Sequence, residues 1–407
     1  VVGVLSADAR ILLQTRGLRA FGDGMVSVVL AVLLKALGMS EVQIGAIVTA
    51  TLLGSAITTL VIGLKGHRIP RRTLLLAATM LMAATGIGFA VISTFWGLMV
   101  VGLVGTLNPS GGDVSLFLPT EQALLPGTMP DGQRTAVFAR YALVGSLVAA
   151  VGSLCAGLPE WLARRFDIDH TTALRIPFVI YALLAGVIAL RYRRLSPSIE
   201  PVSKEPVALH ASRWIVYRLA VLFSVDSFGG GFVITALLVV WLQNRFGLSL
   251  AVSGAIFFWA GLLSAFSALV AARIAGRIGL VRTMVYTHLP ANGLLIATAF
   301  MPTVWLAVGC LLLRSALSQM DVPARTSYVM AVVTPAERPA AASVTNVPRS
   351  LASAVPPIFA GWMLARTTFG WPLVIGGTIK ATYDLLLLAQ FRELRPPEEV
   401  VSPAPVR

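Results

Sequence analysis

The sequence predicts an all-α integral membrane protein of two six-helix halves, and three observations carry that prediction. Of 407 residues, 57% are hydrophobic and 12% charged, at a mean hydropathy of +0.83, about half the charge of a soluble domain. Apolar runs near the ~20 residues that a crossing helix requires recur along the whole length. Midway, the stretch from Arg191 to Arg213 is polar and broken by Pro197, Pro201 and Pro206. Such a segment cannot bury enough apolar surface to fold and reads as a solvated linker.

Cutting at charge clusters and at glycine or proline punctuation gives twelve spans. They cover 12–36, 43–64, 73–93, 95–118, 136–158 and 176–192, then 214–243, 250–272, 281–301, 304–322, 340–364 and 371–391. The expected organisation is a bundle over 1–192, a linker over 193–213, a second bundle over 214–392 and a tail over 393–407. Interrupted by Arg16, Arg19 and Asp23, the first apolar run is expected to remain as a span and not to be cleaved as a leader.

Basic residues set the orientation. If the spans alternate, Lys65, Arg68, Arg71 and Arg72, then Arg191, Arg193, Arg194 and Lys204, then Arg273, Arg277 and Arg282 all fall on one side. The opposite loops hold Lys35 with Glu41, a balanced segment over 160–175, Arg245 and Arg366. The positive-inside rule therefore puts the linker and both termini in the cytoplasm, in an inner (cytoplasmic) membrane. Topology accounts for the net charge of +14, so nucleic acid is not an expected partner. The expected partners are membrane lipid, a small solute and protons, with the chain acting as a monomer. Cys155 and Cys310 fall inside spans, and the histidines His67, His170, His210 and His288 are scattered, mostly at loop positions. No disulfide framework, metal, cofactor or phosphate-cradling glycine loop is expected, nor enzyme chemistry.

The two halves read as copies. Pro119 to Gly157 lies over Pro323 to Gly361 without a gap, at an offset of 204 residues (323 − 119). This pairs Pro119 with Pro323, Arg134 with Arg338, Ser146 and Leu147 with Ser350 and Leu351, Val151 with Val355, and Ala156 and Gly157 with Ala360 and Gly361. Earlier, Phe21, Gly22 and Gly24 match Phe228, Gly229 and Gly231 at an offset of 207 (228 − 21), and Gly45, Ala46 and Ile47 match Gly254, Ala255 and Ile256 at 209 (254 − 45). Two halves in parallel register, joined by a cytoplasmic linker, make a rocking-bundle transporter architecture.

Between spans two and three the chain reads Gly63, Leu64, Lys65, Gly66, His67, Arg68, Ile69, Pro70, Arg71, Arg72, and the second-half loop runs from Arg273 to Arg282. With these loops and the twelve spans, the sequence resembles the major facilitator superfamily over its whole length. The resemblance implies that fold and secondary active transport by alternating access. In the family this loop carries a glycine, an aspartate, an arginine, a second glycine and a basic pair, and acts as a cytoplasmic latch. Here Gly63, Arg68, Arg71 and Arg72 keep the pattern, while His67 replaces the aspartate and Pro70 the second glycine. The second loop keeps Arg277, Gly279 and Arg282 but has Gly276 at the acidic position. A purely topological role for these basic residues is the other reading. Drug:proton antiporters of the family carry an arginine in span four and a glycine-proline motif in span five. Neither is present, but Arg314 in span ten and Pro356, Pro357 and Gly361 in span eleven are closer. Efflux in exchange for protons is the direction this partial match implies.

Ionisable groups within spans are costly and mark functional positions. Asp23 and Asp226, near the middles of spans one and seven, are expected at equivalent places and are the candidate proton carriers. For Asp23, a permanent structural pair with Arg16 or with Arg19, the latter at i and i+4, is the alternative. Arg314 and Arg349 would hold a carboxylate or phosphate on the solute, or lock onto Asp226 and Asp321. With Arg19, Asn108 and Gln319 they complete the expected substrate lining, which suits an anionic or zwitterionic solute. Asp113, Arg140, Asp321 and Arg325 are expected to form an inner gate of ion pairs, with Glu121, Glu337 and Arg338 as surface charge. Lys380 and Asp384 read as an intrahelical pair. The glycine run Gly229 to Gly231 and the stretch Asn108 to Gly112 loosen spans seven and four, or allow close packing. Two further functions stay open: proton symport of an organic or inorganic anion, and a non-transporting membrane receptor or assembly partner.

Overall fold

A computed structural model describes residues 6–65, 69–110, 117–128, 134–199, 209–210, 212–334 and 337–391. The described residues are helical nearly throughout. The helices α1 (Ala7–Ala36), α2 (Glu41–Lys65), α3 (Arg71–Val91), α4 (Phe95–Val104), α5 (Phe117–Leu124), α6 (Arg134–Leu154), α7 (Leu158–Phe166) and α8 (His170–Tyr192) precede the linker. After it come α9 (Arg213–Gly231), α10 (Thr235–Phe246), α11 (Leu250–Ile278), α12 (Leu280–Phe300), α13 (Val304–Ser318), α14 (Asp321–Val332), α15 (Arg338–Ala354), α16 (Pro356–Leu364) and α17 (Trp371–Phe391).

Eight of the described helical stretches are long and apolar enough to cross a membrane: those at the expected spans one, two, three, five, six, seven, eight and twelve. The other four depart from a simple apolar helix for local reasons. Span nine is α12, a full-length helix that carries Arg282, His288, Pro290 and Asn292. Span eleven appears as two helices, α15 and α16, meeting at Val355; in spans four and ten the helix ends early, at Val104 and Ser318, and the next helices, α5 and α14, begin at Phe117 and Asp321 near the expected span ends. At the break in span four the backbone is extended from Gly105, and side chains supply its hydrogen bonds. Thr85 Oγ1 accepts from the Thr106 amide at 3.2 Å, and Tyr181 donates its hydroxyl to the Thr106 carbonyl at 3.3 Å. Non-helical backbone at membrane depth needs such partners.

Cα packing divides the chain into two compact units. The first holds residues 1–203 together with 234–262 and 357–368; the second holds 204–233, 263–356 and 369–407. Within the first unit, the ends of α1, α2, α10 and α11 away from the linker meet in a seam. Lys35 Nζ donates to Asn244 Oδ1 at 2.6 Å, Asn244 Nδ2 donates to Glu41 Oε1 at 3.3 Å, and Thr49 Oγ1 accepts from the Ile358 amide at 3.1 Å. Glu160 on α7 accepts from the Leu250 and Ala251 amides at 2.8 and 3.4 Å, capping the N-terminus of α11. A carboxylate there meets both free N–H groups and the positive end of the helix dipole. Gly45, Gly361 and Gly254 let backbones touch across this seam, where a β-carbon would collide with Pro357 O, Glu41 O and Ser153 O respectively.

The repeat is visible in one crossing made twice. α1 packs most closely on α6, and α9 on α15. At the first crossing Gly24 faces the carbonyl of Ala149; at the second Gly231 faces the carbonyl of Ser353. Gly24 and Gly231 are related by the 207 offset, and Ala149 and Ser353 by the 204 offset (353 − 149). Gly24→Ala and Gly231→Ala each force two helix backbones apart, at a cost of about 1–3 kcal/mol, read as a lower midpoint of thermal unfolding in detergent. Gly186→Ala and Gly293→Ala, where an added β-carbon meets nothing within 4 Å, leave that midpoint unchanged.

Candidate functional site

Charges inside these helices collect in two clusters. In the second half, Asp226 lies near the middle of α9 and is buried. Lys380 of α17 places Nζ 2.5 Å from Asp226 Oδ1, and Arg325 of α14 places Nη1 3.2 Å from Oδ2. The glycine run after Asp226 makes this reach possible. A β-carbon at Gly229 would stand 2.8 Å from Lys380 Cγ and 2.9 Å from the Gly376 carbonyl, so α17 crosses α9 closely enough for its lysine to fold over. Arg325 also pairs with Asp321 at 2.5 Å, one turn earlier in α14, and lies over the Phe223 ring. On the other flank His288 of α12 sets Nδ1 2.9 Å from Asp384 Oδ1 and Nε2 3.9 Å from Asp226 Oδ1. Asn292 Nδ2 donates to Asp384 Oδ2 at 2.8 Å. Arg349 of α15 donates Nε to Ser227 Oγ at 3.1 Å and Nη1 to Asn346 Oδ1 at 3.3 Å. Arg314 of α13 lies within electrostatic range of Asp226 but forms no ion pair or hydrogen bond among the described residues, and its Nε is a buried orphan. Asn292 Oδ1 and the Tyr383 hydroxyl are two more such orphans in the same cluster. Towards the linker the cluster is closed by an apolar core that includes Val216, Leu219, Phe223, Met284, Tyr328 and Leu387.

The first-half cluster is smaller and closed. Arg19 of α1 donates Nη2 to Glu121 Oε2 at 2.7 Å, with both side chains essentially removed from solvent. Glu121 also accepts from the Tyr141 and Tyr192 hydroxyls and from Thr15 Oγ1, and Arg19 lies 4.6 Å from the Phe117 ring centroid. Further along α1, Asp23 accepts from the Tyr181 hydroxyl at 3.3 Å.

Several expectations are corrected by these contacts. Arg19 pairs with Glu121 and not with Asp23, so Glu121 is a buried partner and not surface charge. Lys380 pairs with Asp226 and Asp384 with His288, in place of the intrahelical pair. Of the four histidines, His288 is a member of the cluster and not a loop residue. Asp321 is held by Arg325, and neither Arg349 on Asp321 nor Arg314 on Asp226 forms an ion pair. Glu337 is also more than decoration: buried at the start of α15, it accepts from the His210 and Ser212 amides at 2.6 and 3.1 Å. Asp23 and Asp226 are not equivalent either. Under the 207 offset Asp226 falls on Arg19 (226 − 207) and Asp23 on Gly230 (23 + 207), while the 204 offset puts Arg325 on Glu121 (325 − 204). The two buried pairs thus occupy matching positions with the charges exchanged: cation on α1 and anion on α5 in one half, anion on α9 and cation on α14 in the other.

The remaining candidates are dispersed. Asn108 is buried at the break after α4, where its Oδ1 accepts from the Ser110 amide at 3.1 Å. Gln319 is exposed at the end of α13, and Arg140 is half-buried with no ion pair among the described residues. Asp113 and Arg68 lie outside the described residues. In the loop motif Gly63 is exposed, Arg71 is half-buried, and Arg72 donates to the Arg193 carbonyl at the start of the linker. Arg277 and Arg282 are exposed, and Gly279 between them opens α12 at φ +86°, a conformation that favours glycine.

Comparison with known proteins places this arrangement. The sequence model of the Major Facilitator Superfamily matches residues 15–319 and 219–406. The chain belongs to the major facilitator superfamily. A relative in Saccharomyces cerevisiae, an uncharacterized membrane protein, is 26% identical over 95% of this chain and 94% of its own length. Solved superfamily structures share the fold at low identity. A bacterial homolog of the human lysosomal transporter Spinster superposes with a TM-score of 0.71 at 14% identity, over 95% of this chain and 97% of that one. The nucleoside transporter NupG gives 0.70 at 15%, over 94% and 99%, and the human organic anion transporter MFSD10 gives 0.64 at 16%, over the same shares.

Breaking a buried pair by removing one partner leaves an uncompensated charge. Glu121→Ala should therefore cost about 3–5 kcal/mol of stability in detergent unfolding, and adding Arg19→Met to that variant should restore most of the loss.

Proposed function

We propose that this superfamily member is a proton-coupled secondary active transporter whose solute is small, organic and negatively charged, working by alternating access in a cytoplasmic membrane. The observation that carries this reading is the charge of the second-half cluster. Lys380, Arg325, Arg314 and Arg349 stand against Asp226, Asp321 and Asp384, and among the described residues neither Arg314 nor Arg349 forms an ion pair with a carboxylate. A guanidinium keeps its charge when buried and presents a fork that matches a carboxylate or phosphate. Arg314, with its buried Nε unbonded, and Arg349, held by Ser227 and Asn346, are suited to a solute that brings its own acid. The first-half cluster is centred on a one-to-one pair, Arg19 with Glu121, closed by hydroxyls. The description of MFSD10 as an organic anion transporter agrees with this class. The partial antiporter pattern in spans ten and eleven supports exchange, and the surplus cations support symport of an anion with protons. The basic loops support a cytoplasmic linker and cytoplasmic termini.

The test is a thermal-shift panel on the purified protein in detergent, with mono- and dicarboxylates, phosphate esters, their neutral amides and alcohols, and organic amines. Binding to the native state adds about 2.7 kcal/mol at a hundredfold excess over Kd. Acids are expected to raise the unfolding midpoint, with the shift lost in Arg314→Ala and reduced in Arg314→Lys. Stabilisation by amines alone, or by acids equally in both variants, rejects the reading.

A further inference from the structure

We infer that the proton is carried by His288, at Nε2, with Asp384 as its positioning residue, and that it binds together with an anion and not in exchange for one. This rests on the anionic-solute reading above for its second half only. Asp226 is the obvious acid in the cluster, but its carboxylate sits between Lys380 at 2.5 Å and Arg325 at 3.2 Å. Protonating it would leave Lys380 buried without its counter-charge and Arg325 with Asp321 alone, and removing the charge from one side of a buried pair is expensive. Asp321 is bound in the same way by Arg325.

Asp384 differs from both. It is fully buried, and its oxygens meet His288 Nδ1 at 2.9 Å and Asn292 Nδ2 at 2.8 Å, with no lysine or arginine within ion-pair distance among the described residues. Lys380 lies one turn earlier on α17, but its ammonium is turned to Asp226. Among the described residues His288 is the titratable group hydrogen-bonded to Asp384. With Asp384 ionised its oxygens only accept, which puts a hydrogen on Nδ1 in both forms of the ring. The added proton goes to Nε2, the nitrogen that faces Asp226 Oδ1 at 3.9 Å. The groups against the imidazole are Asp384 of α17 and Asn292 of α12 at Nδ1 and Asp226 of α9 at Nε2; Asp226 is in turn held by Lys380 of α17 and Arg325 of α14. Tyr383 packs edge-on against the ring at a centroid distance of 6.2 Å.

The sign of coupling follows from where the proton lands. On Nε2 it adds a positive charge beside Asp226 and competes with Lys380 and Arg325 for that carboxylate. Less of Asp226 is then left to neutralise the cations around it, and an anion near Arg314 and Arg349 is held more tightly. By reciprocity the anion favours the proton to the same degree. Proton and anion thus promote each other's binding, which is the requirement for moving in the same direction.

The chain has four histidines, so a variant with His67→Gln, His170→Gln and His210→Gln retains His288 alone, and the cluster itself is untouched. Nitrogen-15 NMR of this single-histidine protein in detergent reads both ring nitrogens. The inference expects an Nδ1–H tautomer in the neutral ring, and conversion of Nε2 to N–H as pH is lowered. Asp384→Asn in the same background should lose the Nδ1–H preference. Adding succinate or inorganic phosphate at fixed pH should increase the protonated fraction. A ring that stays in one state across the stable pH range, or that keeps its tautomer in Asp384→Asn, overturns the proton assignment. A ring that titrates as expected while neither anion changes the protonated fraction leaves the proton site standing and overturns the co-binding. Should the acids of the thermal-shift panel stabilise a protein whose His288 never titrates, the anionic solute stands and the proton assignment falls.

Discussion

Asp226 cannot be satisfied from its own helix. Its neighbours along α9 are apolar residues, Ser227 and a run of glycines, so the carboxylate draws Lys380 from α17 and Arg325 from α14. In hydrocarbon an unpaired carboxylate is untenable, and the positions of three helices are fixed by the need to pair this one. The consequences spread outward. α17 must lie against α9 closely enough for a lysine stem to pass, which requires glycine at 229 and 376; α14 must begin where Asp321 can steady Arg325 from below. The apolar core towards the linker then seals the charges from one side.

The strong and weak contacts are divided in a way that suits a moving protein. Among the described residues the close buried ion pairs stay within one sequence half: α1 with α5 in the first, and α9, α12, α14 and α17, with one pair inside α14, in the second. The seam within the first unit, where segments of both halves meet, is made of different material. Its polar contacts, Lys35 with Asn244 and Glu160 with the α11 N-terminus, are partly exposed, and its closest approaches are backbone against glycine. Exposed polar contacts exchange with water at little cost, whereas buried charges do not.

Much of the fold was readable because the bilayer imposes a length and a polarity on every span. The all-helical membrane fold followed from apolar run length and the repeat from offset matches, and the crossing of Gly24 on Ala149 reappears as Gly231 on Ser353. The breaks in spans four, ten and eleven were only partly legible, since a helix that ends and restarts keeps the same hydropathy. The charged sites were read with the wrong rule. Arg19 with Asp23, and Lys380 with Asp384, have the i and i+4 spacing that pairs residues on a solvated helix surface. Here long-range partners win, because a buried charge takes the nearest charge in space and most of its neighbours sit on other helices. Lys380 and Asp226 are separated by 154 residues, and no local pattern links them. One signal was available and unused: carrying the repeat offsets onto the charged residues puts Asp226 opposite Arg19 and Arg325 opposite Glu121. His288 had no such signal, being a single polar residue in an apolar helix until Asp384 is seen beside it.

The exchanged polarity of the two buried pairs bears on how such a chain can change over generations. If both halves descend from one ancestral unit, one of the pairs has been reversed, and no single substitution reverses a pair. At Arg19 and Glu121, changing either member first gives two like charges in contact or one charge without its ion-pair partner, each several kcal/mol less stable, against a total that is marginal to begin with. A path exists only through an intermediate in which both members become neutral, or in which a neighbouring group such as Tyr141 or Lys380 takes over the counter-charge. Polarity at these two positions is therefore a slowly changing character. Within this fold it would separate lineages more durably than the solute-contacting residues, which can drift one at a time.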